Sequence, residues 1–287
     1  MGRCGDRWSG SARTAMSRKK IAIIAAMERE VRPLIRNWKV RMIEHDGRRY
    51  RLFEKGEAAV VCGGIGAEAA RRATEAVIRE VKPLRVISVG FAGAVDGSLL
   101  GRVVEPRIVI NAADGVRTEV GCGKGILVTS ATVAGKEQKA RLGKAYGASA
   151  VDMEAAAVAQ GAQARGVEFG ALKAISDDAD FEMPELDRFV AGDGGFRSFS
   201  FACHVALHPW LWGTTIALAR NSSKARKALC GAIAAYLGRD AQSLRATRGE
   251  STGSGWNQNN QNPTENEACA GVDAHTVTRP DTRATGI

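Results

Sequence analysis

Aromatic side chains are scarce in this chain, with five Trp, three Tyr and eight Phe among 287 residues. The apolar fraction of 45% still supports a sizeable core, but an aliphatic one. Paired cysteines are missing as well. Cys4, Cys62, Cys122, Cys203, Cys230 and Cys269 form no CxxC pair. That argues against a zinc ribbon and, at this length, against a disulfide framework; reduced thiols in a cytoplasm fit best. No apolar segment follows the basic N-terminus in the manner of a signal peptide, because residues 21–27 are short and read as a first strand. A basic stripe interleaved with aromatics is also absent. The formal charge is +10, but residues 1–20 hold six Lys and Arg against Asp6 alone, and the stretch from Ser243 holds four Arg against five acids. The body is mildly basic, and no nucleic-acid partner is expected. Gly64-Ile65-Gly66 lacks the third glycine and the trailing acid of a dinucleotide fingerprint, so no cofactor is expected.

What is present is an alternation of strand-like and helix-like runs. Strands are predicted over 21–26, 39–44, 50–54, 58–62, 85–89, 103–110, 125–129, 148–151 and 168–175. Helices are predicted over 28–37, 67–81, 136–146 and 153–165. The pattern predicts an α/β class, with a mostly parallel sheet covered on both faces. One domain is expected over 18–242. Residues 1–17 are expected to be a disordered leader, with Met16 as an alternative start. From Ser243 the Asn, Gln and Gly-rich composition has no apolar period, and 243–287 is expected to be a disordered tail.

Glycine clusters fall at predicted strand ends, as do three carboxylates, and in open α/β sheets ligands bind there. Glu154 opens the helix after Ala150-Val151-Asp152. An acid there suits the helix dipole; as a functional group it would accept ribose hydroxyls and stabilise a positively charged sugar. Asp177 ends the run Lys173-Ala174-Ile175-Ser176. It either caps the next turn or serves as general acid, since a purine leaves poorly as an anion and a proton at N7 makes it neutral. Ser176 would orient it. Glu28 and Glu30 open the first helix and point to different faces, so one of them meets water and the other the sheet edge. Glu30 would be the base that activates a water.

Ala25–Val31, Gly63–Gly66, Val89–Gly93, Val151–Ala155 and Ala174–Asp177 together resemble the signatures of the purine nucleoside phosphorylase/nucleosidase superfamily, over roughly residues 20–182. The branch that looks most similar is the 5'-methylthioadenosine/S-adenosylhomocysteine nucleosidases. The resemblance implies a single α/β domain with a mixed, partly barrel-like central sheet, and a homodimer whose neighbour closes the site. It implies that Glu30 is the base, that Met153 and Glu154 contact the ribose, that Gly90 and Phe91 border the site, and that Asp177 is the purine acid. Departures lie in the walls. Phe91 replaces a Ser that helps hold the attacking water, Lys173 replaces an Arg, and Val133 replaces the aromatic that stacks on adenine. The segment between Ile110 and Leu127 is shorter than usual. The phosphate-binding Arg of the phosphorylases is not evident after the first strand, where Met27–Glu30 stand, and hydrolysis is favoured over phosphorolysis.

Residues 198–219 carry no charge and include Phe199, Phe201, Trp210, Leu211 and Trp212. The length suits a membrane span, but Pro209 and Gly213 interrupt it. Core or dimer packing is the expectation, with a lid or a peripheral lipid-facing surface as the alternative. Arg220–Ala225 and Leu229 also look like the C-terminal region of hopanoid-associated phosphorylases, which are linked to the cleavage of adenosylhopane. His204 and His208 have helical spacing but no third ligand, so no metal is expected. The chain thus reads as an N-glycosidase acting on adenosine-type nucleosides with a 5' substituent. The alternatives are a phosphorylase, an adenosylhopane-cleaving enzyme, or a nucleoside sensor without turnover.

Overall fold

The computed structural model describes residues 21–96, 99–121, 123–182, 186–192 and 194–247. The leader 1–17 and residues 248–287 lie outside them. The first strand, β1 (Ile21–Ala25), is apolar and wholly buried, and pairs in parallel with β4 (Ala58–Cys62) and β5 (Arg85–Ala94). The strands β2 (Lys39–His45) and β3 (Arg48–Lys55) fold back as hairpins that finish one edge. Asp46 and Gly47 turn the first hairpin with φ of 49° and 71°, a two-residue turn whose left-handed residues match strand twist.

On the other side of β1 the sheet forks. β5 pairs with β1 over Arg85–Val89 and then, past Gly90, with β10 (Ala150–Asp152). Its second edge pairs throughout with β11 (Glu168–Asp177). From β10 the sheet continues through β9 (Ile126–Thr129) and β7 (Ile108–Asn111) to β8 (Arg117–Glu119). The short β6 (Val103–Val104) pairs with β11.

One expectation is corrected and another refined. The strand predicted over 103–110 is two strands, broken at Pro106, which has no N–H for the ladder. Its halves serve different parts of the sheet, β6 on β11 and β7 on β9. The sheet is mixed, as the family resemblance implies, where the strand–helix alternation alone suggests a mostly parallel one. The links at 46–47 and 56–57 are too short for a crossover and force antiparallel pairing.

Helices cover both faces. On one face α2 (Ala67–Val81) and α4 (Ala155–Gln163) pack Ala70, Ala73, Val77 and Val81 with Val158 and Ala162 against the sheet. On the other, α1 (Glu28–Ile35) meets α6 (Trp212–Thr247), where Val31 and Ile35 join Ala225, Leu229 and Ile233. Small alanines let the helices approach closely, which is how a core poor in aromatics fills its volume. A further helix, α3 (Lys136–Tyr146), packs beside β9.

The uncharged segment 198–219 becomes α5 (Ser198–Leu207), a 3-10 turn over Pro209–Leu211, and the start of α6. Core packing within this chain is not what it does. No described side chain of the segment is buried, and Leu207, Trp210, Trp212 and Ile216 stand exposed. Among the described residues no helix is long and apolar enough to cross a membrane. Pro209 ends α5 after ten residues, which breaks the run before it reaches spanning length.

Candidate active site

The predicted acids sit at the C-terminal ends of three strands, of which β1 and β11 run parallel to β5 and β10 runs antiparallel to it. Glu30 follows β1, Glu154 follows β10 and Asp177 ends β11. All three line one cavity of about 490 Å³. Met153, Phe91, Val133 and Ser176 line the same cavity. Gly90 and Lys173 stand behind it. At Gly90, φ is +150° and a Cβ would lie 3.2 Å from Glu30 Oε2. Glycine is needed there because β5 turns from β1 to β10 at this point and the carboxylate occupies the gap.

Each acid departs from its bland structural role in a specific way. Glu28 takes the solvent, pairing with the half-exposed Arg51 at 2.8 Å, while Glu30 is 3% exposed. The Glu30 carboxylate folds back over its own helix start and accepts the Met27 N–H at 3.4 Å. Burial, and then the neighbouring Glu154 charge, push its pKa up to about 7 against the opposing pull of Lys173.

Glu154 is the residue preceding α4, yet its side chain makes no cap. Asp152 does that work. It accepts the Ala155 N–H at 2.8 Å and the Thr129 hydroxyl at 2.6 Å. Glu154 is thereby released to face the cavity, and its Oε1 accepts the Gly66 N–H at 2.9 Å. Burial raises its pKa, with Lys173 pulling the other way and Asp152 adding to the rise.

Lys173 is fully buried, with Nζ 2.8 Å from Asp152 Oδ2 and 4.0 Å from Glu154 Oε2. The Asp152 contact meets ion-pair distance without hydrogen-bond angles. Burial disfavours its charge, but Asp152 and Glu154 outweigh that and raise its pKa. One ammonium thus faces three carboxylates, those of Glu30, Asp152 and Glu154. With all three ionised the cluster lacks two positive charges, and one while Glu30 holds its proton; a sugar oxocarbenium ion would bring one.

At the far end, Asp177 Oδ1 accepts the Ser176 hydroxyl at 2.8 Å, and Oδ2 lies 2.5 Å from Lys139 Nζ. Lys139 also donates to the Asp178 carbonyl. Gly93 of β5 passes so close that a Cβ would lie 2.6 Å from Asp177 Oδ2.

The decisive match is to a family. The model of the phosphorylase superfamily matches residues 20–129 and 120–193, more than half of the chain. The chain belongs to the phosphorylase superfamily. Its fold is shared with the 5'-methylthioadenosine/S-adenosylhomocysteine nucleosidase of Colwellia psychrerythraea, solved with adenine, at 23% identity and a TM-score of 0.51, covering 57% of this chain and 86% of that one. S-adenosylhomocysteine nucleosidase from Streptococcus pyogenes, solved with 5-methylthiotubericidin, is 25% identical with a TM-score of 0.50, covering 58% and 87%. Futalosine hydrolase of Helicobacter pylori is 24% identical with a TM-score of 0.51, covering 57% and 86%. No curated protein matches the chain.

In this member of the phosphorylase superfamily the sequence reading passed over four charged side chains at the site: Arg29, Lys139, Asp152 and Arg226. Lys139 had a signal. It lies one turn before Leu142, and both are buried on α3, so the apolar stripe of that helix contains a lysine. Asp152 had one too, in the spacing of an acid three residues before the helical Ala155. Arg226 had none, because its place in the cavity depends on α6 crossing the sheet from far along the chain.

Proposed function

We propose that the protein hydrolyses the N-glycosidic bond of adenosine-type nucleosides carrying a 5' substituent and releases adenine. The convergence of Glu30, Glu154 and Asp177 on one cavity carries this reading. The negative cluster of Glu30, Asp152 and Glu154 suits the cationic sugar, with Met153 and Glu154 at the ribose. Glu30, with its pKa near neutrality, suits the removal of a proton from water. As the bond from C1' to the purine breaks, its electron pair passes into the purine ring and the ring nitrogen takes up a proton at the Asp177 end. Water oxygen then bonds to C1', and its proton goes to Glu30. Val133 leaves the adenine without an aromatic partner, and Phe91 contributes no hydroxyl for the water; both changes adjust the walls rather than the acids.

Phosphorolysis is the second reading, and Arg226 favours it. Arg226 lines the cavity, one of its terminal nitrogens donates to the Ser223 hydroxyl at 3.5 Å, and its Nε is buried with no hydrogen-bond partner among the described residues. Arg29 lines the same cavity and would add a second cation for a phosphate dianion. The acid cluster repels such a dianion where it would attack, which is why water is preferred. A large apolar 5' group, as in adenosylhopane, is supported by Phe196 just before α5, by Phe201 and Leu218 along the α5–α6 wall, and by exposed Trp210 and Trp212 beyond it. The same exposed residues would suit a homodimer contact.

Incubation with 5'-methylthioadenosine, S-adenosylhomocysteine and adenosylhopane, each with and without phosphate, is the test. Adenine release without phosphate is the expected result. Release only with phosphate selects phosphorolysis, and binding without release selects a sensor.

A further inference from the structure

We propose that the α5–α6 hairpin is a docking surface for an anionic lipid bilayer, with Leu207, Trp210, Trp212 and Ile216 entering the acyl boundary and Arg220, Lys224 and Lys227 meeting the headgroups. The inference concerns where the protein sits and stands apart from the reaction proposed above. Among the described residues, the two most exposed large hydrophobics lie at the bend between the helices, Leu207 at 76% and Trp210 at 73%. Trp212 and Ile216 follow on the first turns of α6 and are exposed as well. Four large apolar side chains at one bend form a contiguous patch rather than isolated surface residues.

Packing within the chain does not account for this face. Along α6, Thr215, Leu218 and Ser222 line the cavity, and Ala225 and Leu229 join the core. The exposed residues Trp212, Ile216, Arg220, Lys224 and Lys227 recur at three- and four-residue spacing, so they share the opposite stripe of the helix. Trp212 Nε1 donates to the Val205 carbonyl at 2.9 Å. The polar atom of that indole is thus satisfied inside the hairpin, and its ring can leave water without stranding a donor.

The change of chemistry along the stripe identifies the occupant. It is apolar at Trp212 and Ile216 and becomes cationic at Arg220, one turn, or about 6 Å, further along the axis. With the bend foremost, burial by roughly 5–10 Å leaves these cations at the level of the lipid phosphates. No Asp or Glu occurs between Ser198 and Arg239, and among the described residues no acid pairs with Arg220, Lys224 or Lys227. Tryptophan and leucine at the tip, with unpaired cations behind, complement acyl chains edged with phosphate. A second copy docked through the same face would bring more cations and no acid from its own hairpin to meet them. Phe201 and Leu218, on the inner side of the hairpin, line the cavity, so the docked protein holds its cavity just behind the bilayer surface.

The test is flotation of the full-length protein with vesicles of phosphatidylcholine alone and of equal parts phosphatidylcholine and phosphatidylglycerol. Binding to the mixed vesicles, and much weaker binding to phosphatidylcholine, is expected; no binding to the mixed vesicles would overturn the proposal. Leu207→Ser with Trp210→Ser should weaken binding to the mixed vesicles by about 10-fold or more, and Lys224→Glu by about 5-fold or more. Arg79→Glu makes the same charge change on the exposed side of α2, across the sheet, and should stay within about 2-fold of wild type. Equal losses in Lys224→Glu and Arg79→Glu, or undiminished binding in the Leu207→Ser, Trp210→Ser protein, would reduce the effect to general charge attraction and overturn the proposal. Quenching of wild-type tryptophan fluorescence by brominated acyl chains reads insertion with no substitution at all, and bound protein with unquenched tryptophan would contradict it. A fall from dimer to monomer mass in the Leu207→Ser, Trp210→Ser protein, read by sedimentation equilibrium, would assign the face to a second copy instead.

Discussion

The sheet edge that bears the acids and the α5–α6 hairpin that covers it are built on opposite principles. Around Glu30, Glu154 and Asp177 the carboxylates are held by the Met27 and Gly66 N–H groups, Ser176 and Lys139, the backbone is pinned by Gly90 and Gly93, and Lys173 is buried among the acids. Across 198–219 the same cavity is walled by apolar and hydroxyl side chains, none of them buried, and four large hydrophobics face outward. The family match ends at residue 193, just before that hairpin. The chemistry and the outer wall are thus separable in sequence, in burial and in electrostatics. We read the first region as fixing which bond breaks and the second as fixing what hangs from the substrate.

If this division holds, substitutions in the first region change turnover or stability steeply, and substitutions in the second change substrate preference. The largest expected effect is Glu30→Gln. Steady-state adenine release should fall by about 10³-fold. Stability should move the opposite way. The folded Glu30 pKa, about 7 against an ordinary 4.5, means that the native state holds the proton more tightly than the unfolded chain. Stability is therefore lost as pH rises from 4.5 through 7. Above pH 7 the Gln variant should be more stable than wild type by on the order of 3 kcal/mol, read by urea unfolding at pH 8. Equal stability at pH 8 would mean that Glu30 is not buried as described.

Next comes Lys173→Met. It strands Asp152 and Glu154 without their cation and should cost about 3–5 kcal/mol in denaturant unfolding. A loss under about 1 kcal/mol would break the claim that Lys173 is the buried counter-charge of Asp152 and Glu154. Gly90→Ala should cost about 1–3 kcal/mol, from backbone strain at φ +150° and contact with Glu30 Oε2, and should lower activity with it. Thermal unfolding and adenine release measure both.

The smallest stability effect belongs to the hairpin. Trp210→Ala should stay within about 0.5 kcal/mol of wild type and leave cleavage of 5'-methylthioadenosine unchanged. Its effect should appear only with a long apolar 5' substituent, as a raised KM. A large stability loss in Trp210→Ala would erase the distinction between the two regions.

How much of this was legible before the structure follows the same division. Helices 67–81 and 136–146 were readable to their ends, because glycine and a left-handed terminal residue bound an amphipathic stripe. The three acids were readable as strand-end carboxylates, and they do share one cavity. Their partners were harder. Asp152 relieves Glu154 of capping, and Lys173 balances both through a register that sets β11 beside β5, a pairing between residues more than eighty positions apart. Lys139 stands on the apolar stripe of α3, one turn before Leu142, but its partner Asp177 emerges only once α3 is placed in the fold. The split of 103–110 was missed because Pro106 interrupts an apolar run whose halves differ only in tertiary partner. For 198–219, apolar composition alone does not say whether a segment is covered by its own chain or by something else.

The central claim is that a buried, near-neutral Glu30 works with Glu154 and Asp177 on one bound ribosyl purine. The most direct test is the pH dependence of kcat/KM for adenine release from 5'-methylthioadenosine in phosphate-free buffer. Glu30 must be ionised to accept a proton from water, so the account predicts activity that climbs as pH passes through about 7. A profile that is flat or falling across that range would contradict it.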